Sequence, residues 1–275
     1  MTIAAPDIAR KAHAGQFFII RVNECGERVP FTFSDWNADE GWIRFIFMRV
    51  GKTTHLLEDV AVGDDLLDVA GPMGHPTATA VGSSWTADRS IAAGDHVVVV
   101  GGGVGTAVAY PVARAAVAAG ARVTVITGAR TDELLILQDE LNALDLHELI
   151  IVTDDGSAGR EGLVTEPLRE LCASGDVDRV FVVGPAIMMK FCSATTAEYH
   201  VPTLASLNPI MVDGTGMCGA CRIQVGGQTK FGCVDGPDFD AHLVDWEELM
   251  TRQRVYAEQE RLADGEYLES CECHE

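Results

Sequence analysis

The chain has 275 residues, 47% of them hydrophobic, and 41 Asp and Glu against 20 Lys and Arg give it a formal net charge of −21. That length suffices for two domains, or three small ones, with apolar cores. The charge argues against nucleic acid and anionic membranes as partners, because phosphates are repelled over most of such a surface. The opening MTIAAPDIARKAHAGQFF lacks the basic head and apolar core of a secretory signal. The most apolar run, residues 104–119, is broken by Pro111 and Arg114 and falls short of the roughly 20 residues a bilayer needs. A cytoplasmic protein is expected.

From Gly15 to Gly74, short apolar runs alternate with turn signals: QFFIIRV, VPFTF, GWIRFIFMRV and DDLLDVAGPMG. In IRFIFMRV the apolar residues are nearly continuous and mostly aromatic or β-branched, which predicts a well-buried strand. Several such runs at short spacing predict a small antiparallel barrel. The polar stretch from Val81 to Gly94 reads as a crossover or linker.

At His96 the texture changes. VVVV at 97–100 runs directly into GGGVG, then into the helical AVAYPVARAAVAAG and the strand RVTVI. Strand, glycine loop, helix and strand make a βαβ unit of a parallel sheet. LIIVTDD, LVTEPLRELCASG, RVFVVG and PAIMMKFCSATTAEYH continue it as strand, helix, strand and helix. Glycines after the first strand let a backbone approach phosphates at a helix N-terminus. The strict G-x-G-x-x-G pattern fails, however, since Thr106 or Val108 stands where the third glycine belongs. No acidic residue follows the second strand, which ends in ITGAR, so tight helix–sheet packing is the competing account of the loop. The last block, Asp245–Glu275, is charged and reads as mostly helical, with the tail SCECHE.

There are eight cysteines. Cys25, Cys172 and Cys192 are scattered singly, whereas Cys218, Cys221 and Cys233 cluster in a glycine-rich stretch too irregular for an ordinary helix or strand. Counting back from Cys218 reaches Asp213, giving Asp-x4-Cys-x2-Cys-x11-Cys. This is the plant-type iron–sulfur spacing with a carboxylate in place of the first thiolate. A zinc ribbon wants a second C-x2-C or a histidine pair, and downstream His242 stands alone. Gly214, Gly216, Gly219, Gly226 and Gly227 suit a loop whose amides point inward at sulfides, which favours the iron–sulfur reading; Asp235 is expected to serve only the loop. Cys271, Cys273 and His274 lack a fourth ligand and read as an exposed end. A hydride donor and a one-electron cluster need a flavin between them, which gives the N-terminal barrel a purpose.

The ordered blocks RVPFT (28–32), VGKTT (50–54), AGPMGHP (70–76), GGGVGTAVAYP (101–111), TGAR (127–130), VVGPAIMM (182–189) and DGTGMCGAC…CVDG resemble the small subunits of electron-bifurcating NAD-dependent ferredoxin:NADP oxidoreductases, within the ferredoxin-NADP reductase superfamily. The dihydroorotate dehydrogenase electron-transfer subunits are close cousins. The resemblance implies an α/β plus β architecture: an antiparallel β-barrel FAD domain over 1–92, a parallel-sheet NAD(P) domain over 93–205, a 2Fe-2S segment over 206–245, and a C-terminal helix and tail over 246–275.

The same resemblance implies that Arg28, Val29, Pro30, Phe31 and Thr32, with Met48, Arg49, Val50, Gly51, Thr53, Thr54, Gly71 and Pro72, hold the flavin, with Lys52 adding charge. Gly102, Gly103, Val104, Gly105 and Thr106 would take the nicotinamide cofactor's phosphates, and Gly128, Ala129 and Arg130 its adenine ribose. Gly184, Pro185 and Met188 would face the nicotinamide. Asp213, Cys218, Cys221 and Cys233 would ligate the cluster, and no acid–base residue is required. The implied function is hydride exchange between NAD(P)(H) and FAD, with single electrons relayed to a larger partner carrying FAD and 4Fe-4S clusters. With no second cluster motif, the chain is not expected to bifurcate alone. Alternatives are a sulfide dehydrogenase or polysulfide reductase subunit, an electron-transfer subunit for dihydroorotate dehydrogenase or a hydrogenase, and a structural docking subunit.

Overall fold

Residues 1–77 and 91–272 are described in the computed structural model, with side chains to Glu269. The expected linker falls largely outside that range, as do the side chains of Cys271, Cys273 and His274. The N-terminal third holds β1 (Thr2–Ala4), α1 (Pro6–Ala9), β2 (Phe17–Arg21), β3 (Val29–Thr32), β4 (Asp35–Asn37), β5 (Trp42–Arg44), α2 (Lys52–Glu58) and β6 (Asp68–Met73). These strands form two three-stranded antiparallel sheets, ordered β1-β5-β4 and β3-β2-β6. Strand β2 is central in the second sheet and buried on both faces. With a side-chain period of two, Phe18 and Ile20 enter an aromatic core with Phe33, Ile43 and Phe45. Phe17 and Ile19 point the other way, into a separate small core. Phe18 stacks on Phe33 at 4.8 Å and meets Phe45 edge-on at 5.5 Å.

The run IRFIFMRV corrects its reading as a strand. Only Trp42–Arg44 pairs; Phe45 stays buried and exchanges hydrogen bonds with Met1, but Met48, Arg49 and Val50 are exposed. The apolar run outlasts its partner strands, and its end becomes the approach to α2.

The second unit follows as β7 (His96–Gly102), α3 (Thr106–Ala118), β8 (Arg122–Ala129), α4 (Gln138–Asn142), β9 (Glu148–Thr153), β10 (Arg160–Glu161), α5 (Thr165–Ala173), β11 (Arg179–Val183), α6 (Ala186–Glu198) and β12 (Thr203–Ser206). The chain then forms β13 (Arg222–Val225), β14 (Gln228–Phe231), α7 (Gly232–Asp235), β15 (Asp238–Asp240), α8 (Trp246–Gln253) and α9 (Ala257–Glu272). The seven-stranded sheet runs β10-β9-β8-β7-β11-β12-β15, parallel except for β15. All four valines of β7 are fully buried: Val97 and Val99 pack with α3, Val98 and Val100 with α5 and α6. The strand order reverses between β7 and β11, which opens a crevice at their carboxyl ends, the usual ligand position in such sheets. No helix among the described residues is long and apolar enough to cross a membrane.

The hairpin β13–β14 is an ordinary element inside the stretch read as irregular. Gly226 and Gly227 make its two-residue turn with φ of +59° and +74°, as Gly-Gly does in hairpins. They therefore serve the turn, not the cysteine loop.

Several contacts fasten the units. Arg114 of α3 donates to Asp35 at 2.7 Å and lies 5.2 Å from the Trp36 ring. The His75 amide donates to the Gly236 carbonyl at 2.7 Å. Asp238 accepts from the Thr77 hydroxyl, while its Oδ1 is buried without a hydrogen bond. Burial pushes the Asp238 carboxyl up to about 6, against the hydroxyls of Thr77 and Ser206, which favour the ionised form.

Unfolded aspartate releases its proton at about pH 3.9, so the folded state binds the extra proton between there and about pH 6. Stability from this group thus rises as pH falls through that window, and the ionised form costs at most about 3 kcal/mol above it. Asp238→Asn is expected to raise the urea midpoint at pH 8 and to lose that advantage by pH 4. An equal effect at both pH values contradicts the assignment.

Candidate functional site

At the crevice, Gly102 ends β7 and Gly103 turns with φ +55° and open space beside its Cα. This is a cradle that any side chain would fill. Gly105 has a different reason to be glycine: a Cβ there would stand 2.6 Å from the Val183 carbonyl oxygen. Met188 of α6 lies over both glycine-bearing strand ends. Its Sδ sits 2.3 Å from where a Gly102 Cβ would be, and its Cε 2.8 Å from that of Gly184. Gly102, Gly184 and Met188 are thus gathered as expected, with Pro185 as N-cap of α6. Thr106 is buried, its hydroxyl 3.1 Å from that of Thr127. Val104 is half-buried at the mouth.

Gly128 is accounted for by packing, since a Cβ would stand 2.3 Å from Val164 Cγ1. Ala129 and Arg130 accept backbone hydrogen bonds from Asp154 and Asp155, and the Arg130 side chain is exposed. The Asp155 carboxyl is held below the usual range, first by the Ser157 hydroxyl and then by the Ser157 amide.

On the N-terminal sheets, Val29, Pro30, Phe31 and Thr32 of β3 are half-buried, and Phe31 packs against Phe45 at 5.0 Å. Gly51 caps α2, and the Thr54 hydroxyl accepts from the amides of Val50 and Gly51 at 2.9 and 3.1 Å. Arg49 pairs with Glu58 at 2.8 Å, and Met48 is exposed. Glu27 was missed in the sequence. Its carboxylate accepts from Lys52 at 3.1 Å and from Thr53 at 2.7 Å, occupying two donors read as phosphate contacts. Burial pushes that carboxyl up, but the hydrogen bonds from Thr53 and Lys52 win and hold it below its usual range. The only signal was a carboxylate directly before RVPFT.

The terminal helix was also unforeseen here. It folds back on α2, where Asp264 lies 3.2 Å from His55 and Tyr267 donates to Asp59. Between α2 and α9 lies a 390 Å³ cavity lined by Cys25, Lys52, Leu56, Ala263, Glu266 and Tyr267. Another, of 410 Å³, lies beside Trp36, Pro111 and Arg114, away from the glycine loops.

Gly71 and Pro72 sit in β6, joined by a cis peptide; a Cβ on Gly71 would stand 2.7 Å from Phe18 Cβ. Against this sheet packs the cysteine loop. Cys221 and Cys233 share one core with Phe17, Ile19 and Met211. Both are buried, their sulfurs 3.2 Å apart and free of a disulfide. Burial, and then the Cys221 sulfur, push the Cys233 thiol up to about 12, against the Gly216 amide, which favours the ionised form. Asp235 accepts from the Phe231 amide at 2.6 Å, the loop role expected of it.

Cys218 and Asp213 lie apart from this pair. Cys218 is exposed and Asp213 half-buried, and the Asp213 carboxylate accepts from the Thr215 hydroxyl and, at 3.1 Å, from its amide. Among the described residues no group of three or more His, Cys, Asp or Glu stands close enough to hold a metal. The four expected ligands are therefore two and two: a buried pair fixed by the sheet, and two on a glycine-hinged loop with φ of +82°, +84° and +69° at Gly214, Gly216 and Gly219. The buried thiol pair, its sulfurs side by side in one packed core, fits an iron–sulfur group.

Residues 208–245 match the iron–sulfur cluster binding domain of dihydroorotate dehydrogenase B, and residues 99–194 the oxidoreductase NAD-binding domain. A dihydroorotate dehydrogenase B (NAD(+)) electron transfer subunit homolog of Thermotoga maritima is 46% identical over 98% of this chain and 90% of that protein. The electron transfer subunit of Desulforamulus reducens is 32% identical over 90% of this chain and 92% of its own. The chain belongs to the family of dihydroorotate dehydrogenase B electron transfer subunits. Among solved structures of this type, one of the NADH-dependent reduced ferredoxin-NADP oxidoreductase superposes with a TM-score of 0.86 at 45% identity, covering 97% of this chain and 92% of that one. As an electron transfer subunit of this family, the chain is an oxidoreductase component with the ferredoxin-reductase type of fold.

Two glycines separate cradle from packing. Gly105→Ala meets backbone and is expected to destabilise the fold by about 2–3 kcal/mol. Gly103→Ala meets open space, so its cost is the left-handed backbone alone, about 1 kcal/mol. Denaturant midpoints of the two variants check the order; equal losses contradict the cradle.

Proposed function

We propose that the chain is a flavin and iron–sulfur electron-transfer subunit of an NADH-dependent ferredoxin:NADP oxidoreductase, exchanging hydride with NAD(H) and relaying single electrons to a larger subunit. The observation that carries this reading is the shared core: Cys221 and Cys233 pack on the same β2 residues, Phe17 and Ile19, whose strand pairs with β3 of the expected flavin site. When bound, FAD would take two electrons as hydride and a 2Fe-2S cluster would accept them one at a time. The chain's own residues bind and orient.

The Gly102–Thr106 turn offers amides, and Gly103 open space, to a pyrophosphate at the start of α3, and Met188 and Pro185 wall the crevice. The Thr32 strand and the Gly51–Thr54 turn flank the flavin position. The cavity lined by Lys52 and Tyr267 continues from that turn, giving room for an adenosine and supporting FAD over FMN. Cys218, Cys221, Cys233 and Asp213 would hold the cluster, with Asp213 the hard ligand of the set.

A second reading, a dihydroorotate dehydrogenase electron-transfer subunit, is favoured by the match of residues 208–245. Identity of 45% over 97% of the chain to the ferredoxin-NADP oxidoreductase weighs for the first. Tagged purification from the host without oxygen separates them. The expected result is about one FAD and two irons per chain, flavin bleaching by NADH, and co-purification of a larger iron–sulfur flavoprotein. A dihydroorotate-oxidising partner selects the second reading, and a colourless, iron-free chain removes both.

Glu27 supplies a further check. Glu27→Gln removes a negative charge beside the Gly51–Thr54 turn and frees Lys52 and Thr53. FAD is expected to bind about three- to tenfold more tightly in fluorescence titration, a gain of roughly 0.6–1.4 kcal/mol. Weaker binding contradicts the placement of the phosphates there.

A further inference from the structure

Arg28 opens the RVPFT block, and its side chain contacts the segment just before Asp213. Its Nε donates to the Val212 carbonyl at 3.3 Å, joining positions 184 residues apart. Its Nη1 lies 3.7 Å from Asp68 of β6. Val212 immediately precedes Asp213, so the guanidinium sits where the flavin sheet meets the ligand loop. The contact is backed by packing: a Cβ on Gly214 would stand 2.3 Å from Met73 Sδ and 3.1 Å from Ile19 Cγ1, so only glycine lets the loop lie this close to β2 and β6. The Asp213 carboxyl is held below its usual range by the Thr215 hydroxyl and amide, then by the Met217 amide and the positive charge of Arg28.

We propose that Arg28 is a positioning residue for the iron–sulfur group, pinning the Asp213 end of the ligand loop to the flavin sheet and supplying a fixed positive charge that favours the reduced form. The inference rests on the iron–sulfur reading of Asp213, Cys218, Cys221 and Cys233. Reduction adds one electron, and so one negative charge, to the group. A nearby cation stabilises that state more than the oxidised one and raises the potential. Both Arg28 contacts are long for a guanidinium, so they fix the loop compliantly, and the charge is the stronger part of the effect. Asp68 partly offsets that charge.

The test is spectroelectrochemical titration of the purified full chain, with iron and flavin content and the electron paramagnetic resonance spectrum of the reduced protein. Arg28→Gln is expected to lower the cluster's midpoint by three- to tenfold in the one-electron equilibrium, tenfold being about 59 mV. Arg28→Lys, which keeps the charge, is expected to stay within threefold of the unaltered protein, and Asp68→Asn to shift the midpoint upward. An unchanged midpoint and spectrum in Arg28→Gln overturns the proposal, as does an equal shift in Arg28→Lys. Should Arg28→Gln retain no iron, Asp68→Asn decides: a midpoint unchanged or lowered overturns the charge effect. Flavin loss in Arg28→Gln leaves the cluster readout intact. An unaltered chain without iron would instead refute the iron–sulfur reading itself.

Discussion

Burial of β2 on both faces is the constraint from which the rest of the arrangement follows. A central strand with one wet face would need only Phe18 and Ile20 against the aromatic core. Here Phe17 and Ile19 are also apolar and buried, and they demand a second cover. That cover is the cysteine loop with Met211, Cys221 and Cys233. Four large side chains at roughly 1.5–3 kcal/mol each thus hold two units together through a single strand. Two buried thiols are thereby placed against the β3-β2-β6 sheet before any ligand is considered.

The same logic explains why glycine recurs at the seam. Gly214 and Gly74 both turn with positive φ, and both stand where a Cβ would strike the opposite unit: Met73 in the first case, Pro237 and the Gly236 carbonyl in the second. The seam is a backbone-to-sheet contact, tighter than one made by long side chains. The His75–Gly236 and Asp238–Thr77 hydrogen bonds extend it to the parallel sheet through β15. The three parts therefore share one connected interface, and electron-carrying groups seated on them would keep fixed separations.

Much of this was legible in the residues. The βαβ order and the helix after GGGVG followed from apolar runs and glycine placement, and the helical C-terminus from its charged composition. The aromatic run after Trp42 misled because hydrophobic continuity reports burial, not pairing; Phe45 still bonds Met1, but residues 46–50 form no strand. The β13–β14 hairpin was hidden by reading every glycine near the cysteines as ligand-loop glycine, although V-G-G-Q carried its own turn signal. Glu27, the fold-back of α9 onto α2 and the reach of Arg28 to Val212 depend on contacts between distant segments, for which local pattern gives no cue.

The division of the expected ligands into a fixed pair and a loop pair bears on how the site is assembled. Cys221 and Cys233 belong to a packed core, so their positions are set by folding. The Asp213–Cys218 arm is only partly covered, carries three positive-φ glycines, and is tied by the Arg28–Val212 bond and the Asp213–Thr215 contacts. An iron–sulfur group on this scaffold would draw its geometry from the first pair and its tuning from the second. A carboxylate suits the tuned side better than a thiolate does, because its charge responds to a neighbouring guanidinium and to hydroxyl and amide donors that sulfur engages only weakly. In a chain of net charge −21, Arg28 at that seam is a local exception to the overall field, and it stands beside Asp213, the one expected ligand whose charge responds to it most.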